Sequence, residues 1–349
     1  MGEIVTVEDE RAGRSIEPAQ SRATLADVAR LAGVSAKTVS RVMSGDDKVA
    51  VHTRERVMGA AKRLRFRPNN IARNLRHGGV TNTVAFVIGD ITNPFYFNVA
   101  AGIEKELATK GLTMLLATTD DAPGSEAVVV DTLLAQRVRA LIIVPIAGDQ
   151  SYLEGERQLG TPVICVDRPA HHLVADSVVL QNRLGTAEAV RSLLAAGHRK
   201  IGFVCSPASL YTHQERLAGY RSALLEAGVT DSYKWERLEP VPGPSAEESV
   251  RDLLAMDDPP TAIIAGNNRA SAGVFRELFG REEKIAFIGF DDFELADSLG
   301  VSVVAYDTME LGRQAAQLAL ARLDDPYGAP RQIEIPTTLI RRGSGEIAP

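Results

Sequence analysis

Along residues 81–349, short apolar runs alternate with stretches whose apolar residues recur every three or four positions. Residues 84–88, 114–117, 140–144 and 162–166 form one set of runs, and the rhythm restarts at 201–205, 262–265 and 285–289. Apolar runs of this length separated by helical periods predict buried parallel strands joined by helices, so this part reads as α/β in two tandem halves. Before residue 80 the pattern is different. Leu25, Val28, Ala29 and Ala32 fall on one helical face, with Thr24 placed to cap and Asp27 three residues on, as in a capping box. Gly33 can turn the chain, Val34 anchors the turn, and Ser35 caps a second helix whose apolar residues are Val39 and Val42. A third helix is predicted over 53–65, with Val57, Ala61 and Leu64 on one side and Pro68 ending it. Gly78 and Gly79 loosen the chain before the α/β part. Residues 1–20 are polar and acidic without apolar period and are predicted to be disordered.

Charge changes the picture of the helical part. The chain is acidic, with a formal net charge of −6, yet residues 21–79 hold thirteen Lys and Arg against four Asp and Glu. One concentrated basic module in an acidic protein is a localised polyanion-binding face. The polar face of the second helix carries Ala36, Lys37, Ser40 and Arg41. Short groups with one Lys and one Arg, on a helix thin enough for the major groove, suit base edges and phosphates. A small helical hairpin without a DNA role would share the caps but not this charge.

Several function classes lose support. No stretch approaches eighteen uninterrupted apolar residues, and residues 1–20 lack the apolar core of an export signal, so a cytoplasmic protein without membrane contact is expected. Cys165 and Cys205 lie in apolar runs and read as core thiols; His171 and His172 have no further ligand at metal spacing, and His198 reads as a turn residue. No Gly-x-Gly-x-x-Gly follows the first strand, and neither a phosphate loop nor a nucleophile-and-base signature occurs. Neither a catalytic residue, a metal site nor a cofactor is therefore expected, against the alternative of a dehydrogenase or kinase on a doubly wound fold.

Ligands in open α/β sheets sit beyond the carboxyl ends of strands. Asn93, Phe95 and Tyr96 follow the first run, and Asp167 with Arg168 follows the fourth. In the second half Arg216 enters a helix, while Asn267 and Asp291 follow strands. Carboxylates, amides and guanidinium groups bind vicinal hydroxyls, and aromatic rings cover the apolar face of a sugar. Each residue also has a plainer role: Asn267 and Asp291 as helix caps, Arg168 in a rim ion pair, Phe95 and Tyr96 as core aromatics. Their joint placement at strand ends favours a carbohydrate-type pocket.

The string Val34-Ser35 with Thr38-Val39-Ser40-Arg41-Val42 resembles the LacI/GalR family of bacterial transcription regulators, and the likeness runs from about Thr24 to Arg342. It implies an N-terminal all-α helix-turn-helix headpiece plus a two-lobed α/β core with parallel sheets, similar to ribose-type periplasmic binding proteins. By that resemblance residues 1–20 are an extension, 21–67 the DNA-binding domain, 68–80 a hinge helix and linker, and 81–349 the core. The lobes are expected at about 81–180 with 307–334 and at about 181–306 with 335–343, the chain crossing near Gln181, Tyr306 and Ile335. Ala36, Lys37 and Arg41 are the implied base contacts, with Thr38 and Asn69 near phosphates. Thr24, Leu25, Ser35 and Ser40 complete the implied DNA face. Residues 69–75 are similar to the family's hinge helix, which pairs across a dimer on operator DNA, with Ala72 close to the groove and Leu75 as the wedge in a central base step. The alternative for Leu75 is a linker residue packed on the body.

Asn93, Phe95, Tyr96, Asp167, Arg168, Arg216, Asn267 and Asp291 match positions where the family and ribose-binding proteins touch their ligand, and the set most resembles the ribose type. A pentose or nucleoside effector is the implied partner. Four departures stand out. Ala50 replaces a capping serine before the third helix, at a cost of about 1 kcal/mol. Tyr306, kept in the effector set, stands where many members have Gln. Pro244 is near the place of an aromatic lid, and Asn268 with Arg269 replaces an Asp. The implied function is a ligand-responsive transcriptional regulator, most often a repressor, binding double-stranded operator DNA as a homodimer. No heptad-rich tail follows Arg342, so a dimer is expected rather than a larger coiled-coil assembly. A sugar-binding transport protein is the remaining alternative, and the basic headpiece argues against it.

Overall fold

Thr24 and Asp27 close a capping box: Asp27 N donates to Thr24 Oγ1 at 3.3 Å and Thr24 N donates to Asp27 Oδ2 at 2.9 Å. Helix α1 (Leu25–Ala32) starts there and ends on Gly33, whose φ of 62° only a glycine adopts without steric cost. Ser35 Oγ accepts from Thr38 N at 3.1 Å and starts α2 (Ala36–Met43). The third helix, α3 (Val51–Arg63), begins and ends two residues before the predicted bounds; it stops at Leu64 and a left-handed Arg65 (φ 49°), ahead of Pro68. Ala50 gives α3 no side-chain cap. Instead Arg54 Nη2 donates to Asp46 O at 2.8 Å and Arg56 Nη2 to Ala32 O at 2.5 Å, tying the helix to the preceding turns. Val28, Val39 and Val57 are fully buried at the centre of this module, with Ala29, Ala32, Val42, Ala60 and Ala61 around them.

The computed structural model describes residues 23–67, 81–146, 148–205, 207, 209–238 and 243–349, and the chain divides into two units, Met1–Gly79 and Val80–Pro349. The expected extension 1–20 and the expected hinge 69–75, with Asn69, Ala72 and Leu75, lie outside the described residues.

The second unit holds two six-stranded sheets. The first contains β1 (Thr83–Ile88), β2 (Thr113–Thr118), β3 (Ala140–Ile143), β4 (Val163–Val166), β5 (Asp176–Leu180) and β11 (Gln332–Ile335), in the order β11-β5-β4-β3-β1-β2. The second contains β6 (Ile201–Val204), β7 (Glu236–Arg237), β8 (Ala262–Ala265), β9 (Ala286–Phe290), β10 (Ser302–Ala305) and β12 (Thr338–Ile340), in the order β12-β10-β9-β8-β6-β7. Every pairing is parallel except β10 with β12. Parallel strands need crossover helices on both faces, which is why the apolar runs are continuous rather than alternating. In β1, Val84, Phe86 and Ile88 face one core while Ala85 and Val87 face another.

All seven predicted strands are present. Five more were not predicted, because their sequences are polar or short. β5 opens with a buried Asp176, satisfied by Arg322 and by Arg331 N at 2.7 Å, and β10 opens with a buried Ser302 that donates to Glu346 Oε2 at 2.8 Å. β7 has two residues and β11 reads Gln-Ile-Glu-Ile on an edge.

Helices α4 (Pro94–Ala108), α5 (Pro123–Ala135), the short α6 (Glu154–Gln158) and α11 (Thr308–Asp324) belong with the first sheet; α7 (Asn182–Ala195), α8 (Tyr211–Glu226), α9 (Ala246–Leu254) and α10 (Asn268–Leu278) belong with the second. The chain passes between sheets after β5 at Gln181, after β10 at Tyr306, and between β11 and β12, where Gln181 N donates to Ile335 O at 3.0 Å. These passages bring the carboxyl ends of both sheets to one cleft. Helices α4 and α11 meet backbone to backbone: a Cβ on Gly102 would run into Met309 O, and one on Gly312 into Val99 O.

His198 closes the turn after α7, as predicted, its N donating to Leu193 O at 3.1 Å, but its side chain does more. It is fully buried, with Nδ1 2.8 Å from Thr261 Oγ1 and Nε2 2.8 Å from Ile347 O, so it joins the C-terminal segment to the second lobe. His171 and His172 are exposed. Cys165 and Cys205 are buried free thiols, both pushed up to about 12 by burial, as inert core cysteines are. Among the described residues no helix is long and apolar enough to cross a membrane.

Candidate functional site

Asp167 and Asp291 occupy equivalent positions, each directly after the third strand from the same side of its sheet. Both are left-handed, with φ of 70° and 72°. Each donates its N–H to the next strand, Asp167 to Val178 O at 2.9 Å and Asp291 to Val304 O at 3.1 Å. A side chain held in this region costs about 1 kcal/mol or more. The ladder bonds hold both residues there, and both carboxylates line the cleft.

Two arginines stand beside them, each fixed by acceptors. Arg168 is 6% exposed; its Nη1 donates to Pro145 O at 3.0 Å, its Nη2 to Tyr96 Oη at 3.3 Å and its Nε to Asp167 Oδ2 at 3.3 Å. Arg216, on α8, is 4% exposed; its Nε donates to Asn182 Oδ1 at 2.7 Å and its Nη1 to Gly266 O at 2.7 Å. Its guanidinium carbon lies 3.6 Å from the Phe290 ring centroid, so the plane is stacked as well as hydrogen-bonded. Tyr306 donates its hydroxyl to Asp291 Oδ1 at 2.5 Å. Burial raises the Asp291 carboxyl, opposed by Arg216 and by this hydrogen bond, and burial raises the Tyr306 phenol well above its usual range. The phenol therefore keeps its proton and donates.

Asn267 has two roles at once. Its Oδ1 caps α10 by accepting from Ala270 N at 2.8 Å, and its Nδ2 lies 3.3 Å from His213 Nε2. His213 Nδ1 is 2.7 Å from Pro207 O, which can only accept, so Nδ1 carries the proton. Burial, with Arg216 beside it, pulls His213 down to about 3. The neutral ring then accepts from the Asn267 amide, which fixes the amide's orientation in the cleft.

All nine residues expected in the pocket line one cavity of about 590 Å³, its open mouth included. Phe95 and Tyr306, both lining it, pack edge to face on one another, with centroids 6.2 Å apart. Residues not foreseen also line it: Asp121, Leu210, Thr212 and His213. Asp121 sits just past β2, where the rule of polar residues beyond strand ends could have found it. His213 precedes Arg216 by three positions on α8, a face-sharing interval visible only once Arg216 is known to point inward. Pro244 instead borders the wider groove outside the mouth.

Asn268 and Arg269, noted as a departure, form the rim. Arg269 pairs with Asp90, and Asn268 Nδ2 donates to Asn93 Oδ1 at 2.7 Å, so both bonds join the two lobes. The Arg269 side chain is 62% exposed, so a weak coupling is expected. A double-mutant cycle of Asp90→Ala and Arg269→Ala on thermal unfolding should read about 0.2–1 kcal/mol. Strict additivity would show that the pair contributes nothing to holding the lobes together.

In the headpiece, Ala36, Lys37 and Arg41 are exposed on α2, while Thr38 and Ser40 are half-buried. Thr24 and Ser35 are exposed with their side chains used as caps, and the Leu25 side chain packs against the core, leaving its backbone for any contact outward.

Comparison with known proteins places both units. Residues 24–69 match the model for bacterial regulatory proteins of the lacI family, and residues 190–345 match a periplasmic binding protein-like domain. The HTH-type transcriptional repressor PurR of Photobacterium profundum is 30% identical over 329 residues, covering 92% of this chain and 98% of that protein. The ribose operon repressor of Haemophilus influenzae is 29% identical over 329 residues, covering 92% of this chain and 98% of that one. Among solved structures, the lac repressor dimer bound to operator and the anti-inducer ONPF superposes with a TM-score of 0.80 at 25% identity, covering 93% of this chain and 99% of that chain. Matched over residues 24–69 by the lacI-family model and along nearly its whole length by a transcriptional repressor at 30% identity, the chain belongs to the LacI family of bacterial regulatory proteins.

Proposed function

We propose that the chain is a cytoplasmic, homodimeric repressor rather than an enzyme, and that a neutral pentose or nucleoside in the cleft controls its affinity for a near-palindromic operator. The observation that carries this is the convergence of Asn93, Phe95, Tyr96, Asp167 and Arg168 from one lobe with Arg216, Asn267 and Asp291 from the other, beside Tyr306, on one cavity. Acidic and basic groups balance there. Asp121, Asp167 and Asp291 stand against Arg168 and Arg216, with Arg269 at the rim, which favours a neutral polyhydroxyl ligand over a phosphorylated one. The carboxylates accept from hydroxyls, the guanidinium groups donate, and Phe95 and Tyr306 cover the ring. A relative named a ribose operon repressor supports the pentose reading.

In this reading Ala36, Lys37 and Arg41 meet base edges, Thr38 and Asn69 meet phosphates, and Ala72 and Leu75 enter the minor groove at the dimer axis. Two headpieces on one dimer make the second half-site contact effectively intramolecular. Effector shifts DNA affinity only by binding the two lobe arrangements unequally.

The test has two arms on the full chain. Selection from a random duplex library should yield a near-palindromic site bound about 10³-fold or more tighter than a scrambled duplex. A thermal-shift screen with pentoses, hexoses and nucleosides should single out neutral ligands that also change binding to the selected site. Equal affinity for all duplexes, or stabilisation only by sugar phosphates, would refute the corresponding half.

A further inference from the structure

The headpiece contains an ion pair that its buried core does not use. Arg41, near the end of α2, has a side chain 44% exposed, and its Nε donates to Asp46 Oδ2 at 2.7 Å. Asp46 belongs to the turn that follows the helix and is fixed from two further sides. Lys48 N donates to Asp46 Oδ1 at 2.9 Å, and Arg54 Nη2, from α3, donates to Asp46 O at 2.8 Å. The carboxylate is thus held in place by its own turn and by the third helix before it meets Arg41. Arg41 and the Lys48 amide keep the Asp46 carboxyl below its usual range. Exposed ion pairs contribute little to stability, so the turn and its tie to α3 hold without the Arg41–Asp46 contact.

The pair engages only Nε of the guanidinium. Among the described residues Nη1 and Nη2 of Arg41 make no hydrogen bond, so one edge of the planar fork stays available to a base or a phosphate. An unbraced arginine loses its rotamer freedom when it docks, whereas a braced one has lost part of it beforehand. The same carboxylate repels any phosphate that approaches Arg41, whatever the sequence. Bracing helps the correct site, and repulsion weakens all sites.

We infer that Asp46 is a specificity-determining positioning residue: it presets Arg41 for base contact and lowers sequence-independent attraction at the reading face. The inference rests on the proposed reading of Arg41 as a base contact.

The experiment uses the full chain as parent, Asp46→Ala, Arg41→Ala and the double variant. Fluorescence anisotropy at one ionic strength follows binding to the duplex selected from the random library and to a scrambled duplex of equal length. Asp46→Ala should weaken the selected duplex about three- to tenfold and strengthen the scrambled one about twofold. In the Arg41→Ala background, Asp46→Ala should no longer weaken the selected duplex. Asp46→Asn, which can still accept from the Lys48 amide, should also strengthen the scrambled duplex. Tighter binding to scrambled DNA is not the behaviour of a misfolded headpiece. Additive losses on the selected duplex, an Asp46→Ala variant equal to the parent, or equal weakening on both duplexes would each overturn the inference while leaving Arg41 as a base contact. If Arg41→Ala itself leaves the ratio of the two affinities unchanged, the reading of Arg41 falls and takes the inference with it.

Discussion

Asp291→Asn should lose effector affinity by about 100-fold while the protein keeps its fold. The backbone at this position is left-handed, and asparagine is among the few residues that adopt that conformation at little cost. The amide oxygen can still accept from Tyr306, which donates to Asp291 at 2.5 Å. The change therefore falls on the ligand: a hydroxyl that donated to a carboxylate oxygen meets an N–H donor instead. Losing a hydrogen bond to a charged group and leaving a buried donor unpaired costs about 2–3 kcal/mol. Calorimetry with the pentose or nucleoside that most stabilises the parent measures this, and unaltered affinity would remove Asp291 from the ligand site. Stability offers a second reading. Burial raises the Asp291 carboxyl in the folded state, so the parent takes up this proton on folding at a pH where the unfolded chain is still ionised. Stability from that proton is present at low pH and fades as pH rises through the folded value. The parent should accordingly gain stability relative to Asp291→Asn as pH falls through that range, and thermal melts at two pH values would show it.

Gly312→Ala is expected to destabilise the core by about 3 kcal/mol or more, against the gain that a glycine-to-alanine change gives in an ordinary helix. An alanine Cβ here would collide with Val99 O, and on the facing helix the same holds between Gly102 and Met309 O. The obstructing atoms are helix backbone, which cannot swing aside as a side chain tip would. Separating α4 from α11 would also disturb the cleft, since α11 begins two residues after Tyr306. Urea unfolding of the variant decides the matter: an increase in stability would mean that the two helices do not approach so closely.

The α/β halves were legible because buried parallel strands such as 140–143 are apolar on both faces and cannot be mistaken for surface. The strands that escaped were those whose burial depends on distant partners. Asp176 reads as a loop residue until Arg322, 146 positions away, is brought to it. The burial of the His198 side chain was hidden for the same reason, since its partners Thr261 and Ile347 are remote in sequence. Pocket residues at strand ends could be picked out one at a time because the parallel topology itself collects them. His213, on a helix, had no such signal, and the Asp46 brace on Arg41 was invisible until the turn after α2 was folded.

The polypeptide passes three times between the sheets, at Gln181, at Tyr306 and between β11 and β12. A single tether would let two bodies swivel freely, whereas three roughly side-by-side tethers suppress twisting and sliding and leave one soft axis. The motion expected of the lobes is therefore rotation about the line those crossings define, so a ligand that bridges the cleft would act along that single coordinate.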